Sequence, residues 1–343
     1  MKGYIYNDTK DITYTDLDMP EAGPDDVVVK VKLAGICGSD LTAWNDLGIL
    51  AGVFPDWEFG HEMVCEVYEV GENITDIAVG DRVWVNPMTC KTGGLLMADV
   101  CGAFSEYVLV EEAKWGYNLW RLPESLTWDD CVIVEPFGVG MHAVNRCDPK
   151  PGDNIVIYGE GTIGLMATCA CIGKGLKPIV LGLSDARLKV AEEMGAITCN
   201  TEGMDSDAKL AWLCETCGTV TNSLDDPVPN VQAFIDAAGA PIIQKEVLMW
   251  NIEYCKLIVV AVHKHPIEVN FRDIMSGQYE IRGSRGYEAV DIDEVFEDLL
   301  NPEIKAGLIV THRFPHDKLE EAFEVASDLK NGPIKVIIDY DME

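Results

Sequence analysis

At 343 residues, with 48% hydrophobic side chains and 31 glycines, the chain has the composition of an α/β protein and exceeds what one core usually organises. Its 58 acidic against 26 basic side chains give a formal net charge of −32, which argues against nucleic acid or anionic membrane as a partner. No apolar run approaches the roughly 20 residues that cross a bilayer, and the N-terminal M-K-G-Y-I-Y-N-D lacks the plan of a secretory signal, so a cytoplasmic location is expected.

The acid is spread along the chain and lysines outnumber arginines, which fits high solubility better than halophilic adaptation. Twelve cysteines follow no framework spacing. The single C-x-x-C, Cys214 to Cys217, reads as thiols at a surface helix end rather than a redox or metal pair.

In chain order, residues 27–33, 63–70, 80–85 and 104–110 are β-rich or turn-then-strand segments, so the first part reads as a small β-barrel-like domain. Three islands within it carry metal-binding chemistry: Cys37 in A-G-I-C-G-S-D, His61-Glu62 in F-G-H-E, and Glu135 in V-E-P-F-G. A thiolate, an imidazole and a carboxylate are the ligand types of a mixed zinc site, and three protein ligands leave a position open for chemistry.

From residue 153 the rhythm changes to alternating strand and helix. Strands are expected at 154–158, 178–183, 231–236, 257–262 and 279–282, with helices at 163–174 and 186–194. This predicts a doubly wound parallel sheet. Two helical stretches follow residue 291, and a final strand at 334–340 is expected to return to the first domain.

G-E-G-T-I-G, spanning Gly159, Gly161, Thr162, Ile163 and Gly164, sits between the first of these strands and its helix. Gly159 suits a tight turn, Gly161 a backbone approach to pyrophosphate, and Gly164 close packing of helix on strand, with the helix N-terminus facing the anion. The next strand ends in Gly182, where an NAD site usually has an acidic residue, and Ser184 and Arg187 follow. Absence of the acid and presence of a guanidinium favour NADP(H) over NAD(H), although a small register shift would make Asp185 the ribose acid.

With A-G-I-C-G-S-D, F-G-H-E, V-G-D-R-V, G-A-F-S-E-Y, V-E-P-F-G-V-G, G-E-G-T-I-G, I-D-A-A-G, I-R-G-S and G-P-I-K-V-I-I assembled, the chain resembles the zinc-dependent medium-chain dehydrogenase/reductase family. It stands near that family's sorbitol, threonine, butanediol and secondary-alcohol dehydrogenases. The resemblance implies an α/β protein. A GroES-like β-barrel catalytic domain over 1–145, completed by 287–343, accompanies a Rossmann dinucleotide-binding domain over 146–286. It implies one catalytic Zn²⁺ on Cys37, His61 and Glu135, with Glu62 as an exchangeable fourth ligand. The family's proton relay begins at Ser39; the next member is often a histidine, and Thr42 stands there instead. His263, Ser284 and Arg285 are expected at the cofactor, and Arg285 equally at an acidic substrate or a subunit surface.

The implied reaction is hydride transfer between NADP(H) or NAD(H) and a secondary alcohol or polyol, or its ketone. Reduction of a conjugated C=C bond is a second reading, against which Ser39 and the full ligand set weigh. A non-catalytic nucleotide-binding role is a third, opposed by the intact ligands. Cys90 and Cys101 alone occupy the lobe where relatives often hold a structural zinc, so a single zinc is expected. Trp44, Phe54, Trp57 and Phe137 read equally as pocket or core. A small-molecule substrate and a homodimer or homotetramer, joined near 279–282, complete the expectation.

Overall fold

The computed structural model describes residues 1–92, 95–96, 101–328 and 333–342. The chain divides into two compact units, residues 1–135 with 307–343, and residues 136–306.

In the first unit the hub is the strand Val27–Gly35, V-V-V-K-V-K-L-A-G, whose β-branched residues suit a strand with neighbours on both edges. It pairs antiparallel with Glu62–Val70, with Tyr107–Val110 and with the late strand Lys335–Asp339. The return of the last strand is therefore as expected, and its register sets Ile337 opposite Gly35. Arg82–Val85, Leu119–Arg121 and Val310–Pro315 extend this sheet, and Lys2–Asp8, Asp11–Asp16 and Trp57–Glu58 form a second.

Helix Leu319–Ala326 lays Leu319, Ala322, Phe323 and Ala326 on one face, the i, i+3, i+4, i+7 spacing of an amphipathic helix. Phe323 stacks on Trp44 at 5.3 Å and on Phe59 at 6.1 Å, and meets Phe104 edge-on. Full burial of each such ring contributes about 1.5–3 kcal/mol relative to exposure. Trp44 is therefore a core residue, and so is Phe137, which is fully buried on the other unit's first helix.

In the second unit six parallel strands run in the spatial order Ile197–Asn200, Lys177–Gly182, Asn154–Tyr158, Ala233–Asp236, Lys256–Val259, Glu280–Gly283. Numbered along the chain, this is 3-2-1-4-5-6, the doubly wound dinucleotide-binding order, with its switch point at the carboxyl end of Asn154–Tyr158. The strand–loop–helix succession is as expected, with helices at Thr162–Gly173 and Asp185–Met194.

The unit limits differ from those anticipated at 145/146 and 286/287. Helix Ala289–Leu299 belongs to the second unit because Asp291, buried at its first turn, is bonded to His142 Nδ1 at 2.8 Å and Asn145 Nδ2 at 2.7 Å. Lys174 reaches the same helix at Glu294, 2.8 Å away. These polar anchors tie helix Ala289–Leu299 to residues 136–145 within the second unit. Among the described residues no helix is long and apolar enough to cross a membrane.

Candidate metal and dinucleotide sites

The metal islands converge because they flank paired strands. Cys37 follows Val27–Gly35, Glu62 opens Glu62–Val70 opposite Gly35, and His61 precedes it. Ligand atoms of Cys37, His61 and Glu62 all lie within 4.8 Å of one another, the only such group of three or more among the described residues. His61 and Glu62 are buried. A thiol, an imidazole and a carboxylate so close together match the donor set of a mixed zinc site. Burial pushes the Cys37 thiol up, against the pull of the His61 ring. A bound divalent cation reverses that balance by favouring thiolate.

Glu135 is buried in the first turn of helix Val134–Asn145, and its charge acts on His61, but it stands outside the compact group. Glu62 lies within the group and is already engaged. Both its oxygens accept from Lys335 Nζ, at 2.8 and 2.7 Å, and the two side chains are 1% and 4% exposed. Lys335 also donates to the Ile36 carbonyl at 2.9 Å. Burial works against the lysine's charge, yet the Glu62 carboxylate and the Cys37 and Glu135 charges outweigh it and hold its pKa above the ordinary value. A β-carbon at Gly35 would collide with Glu62 Oε2, so this position admits only glycine while Glu62 points there. Lys335 lies in the quoted G-P-I-K-V-I-I motif, yet nothing local marks it as a partner of Glu62.

Asp40 caps the short helix Gly38–Asn45: its Oδ2 accepts from Cys37 N at 2.8 Å, and its Oδ1 lies 4.0 Å from His61 Nδ1. It fixes the loop that presents Cys37. Ser39 Oγ is closed to solvent and has no hydrogen-bond partner among the described residues. A buried hydroxyl without a partner is costly, and a bound substrate oxygen would satisfy it. Thr42 Oγ1 donates to the Gly38 carbonyl at 3.0 Å, so its proton is committed within the helix. Cys90 and Cys101 are both buried, and the Cys90 thiol is hydrogen-bonded to Cys101; residues 93–94 and 97–100 of that lobe lie outside the described residues.

At the switch point, Gly159 has φ +108°, and Gly161 is the N-cap of the twelve-residue helix Thr162–Gly173, whose first turn holds Thr162, Ile163 and Gly164. A β-carbon on Gly164 would strike the Gly159 carbonyl. Backbone N–H groups at a helix start attract anions such as a phosphate. Ser184 is the N-cap of Asp185–Met194 and makes no side-chain capping bond, with Arg187 half-buried in the next turn.

His263 is held through its side chain: Nε2 lies 2.8 Å from Asp236 Oδ2, and Gln244 Nε2 is 3.1 Å away. Asp236, fully buried at its strand's end, also accepts from Ala238 N and Gly239 N. Ser284 is buried with its Oγ unbonded among the described residues, and Arg285 is exposed. Asp236 and Gln244 went unremarked in sequence, although I-D-A-A-G contains the first. Glu160, also unremarked, accepts through Oε1 from Leu183 N at 3.0 Å and Ser184 N at 2.9 Å.

Residues 23–124 match the alcohol dehydrogenase GroES-like domain. The chain is similar to sorbitol dehydrogenase of Bacillus subtilis, 29% identical over 358 residues that cover 98% of this chain and 97% of the relative. The solved structure of 2R,3R-butanediol dehydrogenase from Bacillus subtilis matches with a TM-score of 0.84 at 26% identity, covering 98% of this chain and 99% of that one. An alcohol dehydrogenase from Escherichia coli CFT073, complexed with NADH, matches with a TM-score of 0.84 at 25% identity, covering 99% of each chain. The likeness to these alcohol and polyol dehydrogenases runs end to end, through the GroES-like domain and the 3-2-1-4-5-6 sheet alike.

Proposed function

We propose that the protein is a zinc-dependent oxidoreductase that transfers a hydride between a nicotinamide dinucleotide and a secondary alcohol or polyol, or the matching ketone. The observation that carries this reading is the compact Cys37–His61–Glu62 group, together with a buried hydroxyl two residues after Cys37, Ser39 Oγ, that has no hydrogen-bond partner among the described residues. Cys37 and His61, with Glu135 as third ligand and Glu62 in reserve, would hold one zinc per chain. When bound, zinc supplies a Lewis acid for the substrate oxygen and the nicotinamide supplies or accepts the hydride.

The chain's own residues do the rest. Ser39 accepts the alcohol proton or returns it to a ketone, since a hydroxyl both donates and accepts. Thr42 stands next on the family's route, and its bond to Gly38 must break before its proton moves on. Lys335 holds Glu62 turned toward Gly35, so Glu62 reaches a metal only by leaving a buried partner. The glycine loop holds the pyrophosphate, and His263, Ser284 and Arg285 serve the nicotinamide half. A cytoplasmic homodimer or homotetramer, joined along the edge strand Glu280–Gly283, belongs to the same proposal. Chelation tests it: activity that disappears with the zinc and returns on adding zinc alone supports the reading, and activity indifferent to chelation removes it.

A further inference from the structure

The strand Lys177–Gly182 ends without the acidic residue that usually binds the adenosine ribose. The structure brings a carboxylate to that place from another part of the chain. Glu160, the second residue of the glycine loop, folds back across the strand end, and its Oε1 accepts from Leu183 N at 3.0 Å and Ser184 N at 2.9 Å. A β-carbon built on Gly182 would collide with Glu160 Oε2 and Cδ. The glycine therefore makes room for the carboxylate, and the two positions exchange roles.

From this geometry we propose that Glu160 sets the dinucleotide choice, accepting the ribose 2′-hydroxyl and repelling a 2′-phosphate, so that NAD(H) is preferred. The inference rests on the reading that the glycine loop binds a nicotinamide dinucleotide, and it reverses the preference that Gly182, Ser184 and Arg187 suggest in sequence. Two arguments favour it. The backbone N–H groups of Leu183 and Ser184, which a 2′-phosphate would use, are already taken by Glu160. Those two bonds occupy only part of a carboxylate's roughly four acceptor sites, so capacity remains for a hydroxyl donor. Asp185, the next residue, adds a second negative charge, held by Asn200 Nδ2 at 2.5 Å. Arg187 attracts phosphate from the following turn, but a phosphate there meets a fixed carboxylate first. Like charges set against each other at a binding surface are strongly disfavoured.

The test is calorimetric binding of NADH and NADPH, and of 5′-AMP and 2′,5′-ADP, to the intact protein and to Glu160→Gln. The AMP pair probes the adenosine end alone, independently of zinc and turnover. The intact protein is expected to bind NADH and 5′-AMP at least about tenfold more tightly than their 2′-phosphorylated counterparts, equivalent to about 1.4 kcal/mol. Glu160→Gln is expected to reduce both ratios about tenfold without lowering the melting temperature of the ligand-free protein. Equal or tighter binding of NADPH by the intact protein overturns the assignment and leaves the dehydrogenase reading standing, as do ratios unchanged in Glu160→Gln. Failure to bind either dinucleotide overturns both.

Discussion

Lys335 and Glu62 form an ion pair closed to solvent, 273 residues apart in sequence and adjacent to the Cys37–His61 pair. The strand pairing of Val27–Gly35 with Glu62–Val70 on one edge and Lys335–Asp339 on the other brings them together. The candidate metal ligands and this pair thus share one set of strand ends.

Removing the lysine leaves a buried carboxylate without its partner. Lys335→Met is expected to lose about 3–5 kcal/mol of stability in denaturant unfolding. The double variant Lys335→Met, Glu62→Gln should recover a large part of that loss, since the uncompensated charge is gone. A single variant as stable as the parent would show that the pair carries no such load.

Cys37→Ser replaces a soft thiolate by a weak hydroxyl ligand. Zinc content is expected to fall from one ion per chain to well below that, measured by elemental analysis after dialysis. Two tightly held zinc ions in the parent protein would instead point to a second site near Cys90 and Cys101.

Ser39→Ala tests the proton route. Its hydroxyl is buried and unpartnered among the described residues, so its loss should not destabilise the fold. Turnover is expected to drop by about 10²–10⁴-fold, the usual contribution of a positioned proton-transfer group. The dissociation constant for the dinucleotide should stay constant, and weakened binding at unchanged turnover would assign Ser39 to the cofactor alone.

Asp298 carries a pH dependence away from the metal site. It lies in helix Ala289–Leu299, a β-carbon on Gly173 would collide with its carboxylate, and its Oδ2 is buried without a hydrogen bond among the described residues. Burial raises its pKa to about 7, Lys174 opposes this, and Glu294 and Glu297 reinforce it. The end of helix Thr162–Gly173, where carbonyls gather, is also unfavourable for a negative charge. An acid whose folded pKa exceeds its unfolded value of about 3.9 binds more protons when folded, so stability falls as pH rises between the two values. Asp298→Asn should therefore melt higher than the parent at about pH 8, with the difference closing toward about pH 5. A difference independent of pH would refute the assignment.

Much of this was legible in sequence where the signal is local. Gly159 to Gly164, between a five-residue strand and a helix, carries the strand–turn–helix geometry on its own, because turn and helix packing are set within a few residues. Cys37, His61 and Glu62 were legible as chemistry, since few other roles need those types in those motifs. Side-chain reach was not. That Glu160 turns back across Gly182, or that Lys335 arrives beside Glu62, depends on strands that neighbour only after folding. The same limit explains Trp44, whose position against Phe323 decides core over pocket. It also explains helix Ala289–Leu299, whose unit is set by the bonds of Asp291 to His142 and Asn145.

The most direct test of the account is a panel of secondary alcohols, polyols and hydroxy acids, with their ketones, read by the absorbance of reduced nicotinamide using zinc-loaded protein and each dinucleotide. The account predicts zinc-dependent reduction of NAD⁺ by at least one secondary alcohol or polyol, and the reverse reaction with its ketone. No turnover across the panel by protein that binds both zinc and dinucleotide, or turnover confined to conjugated C=C bonds, would contradict it.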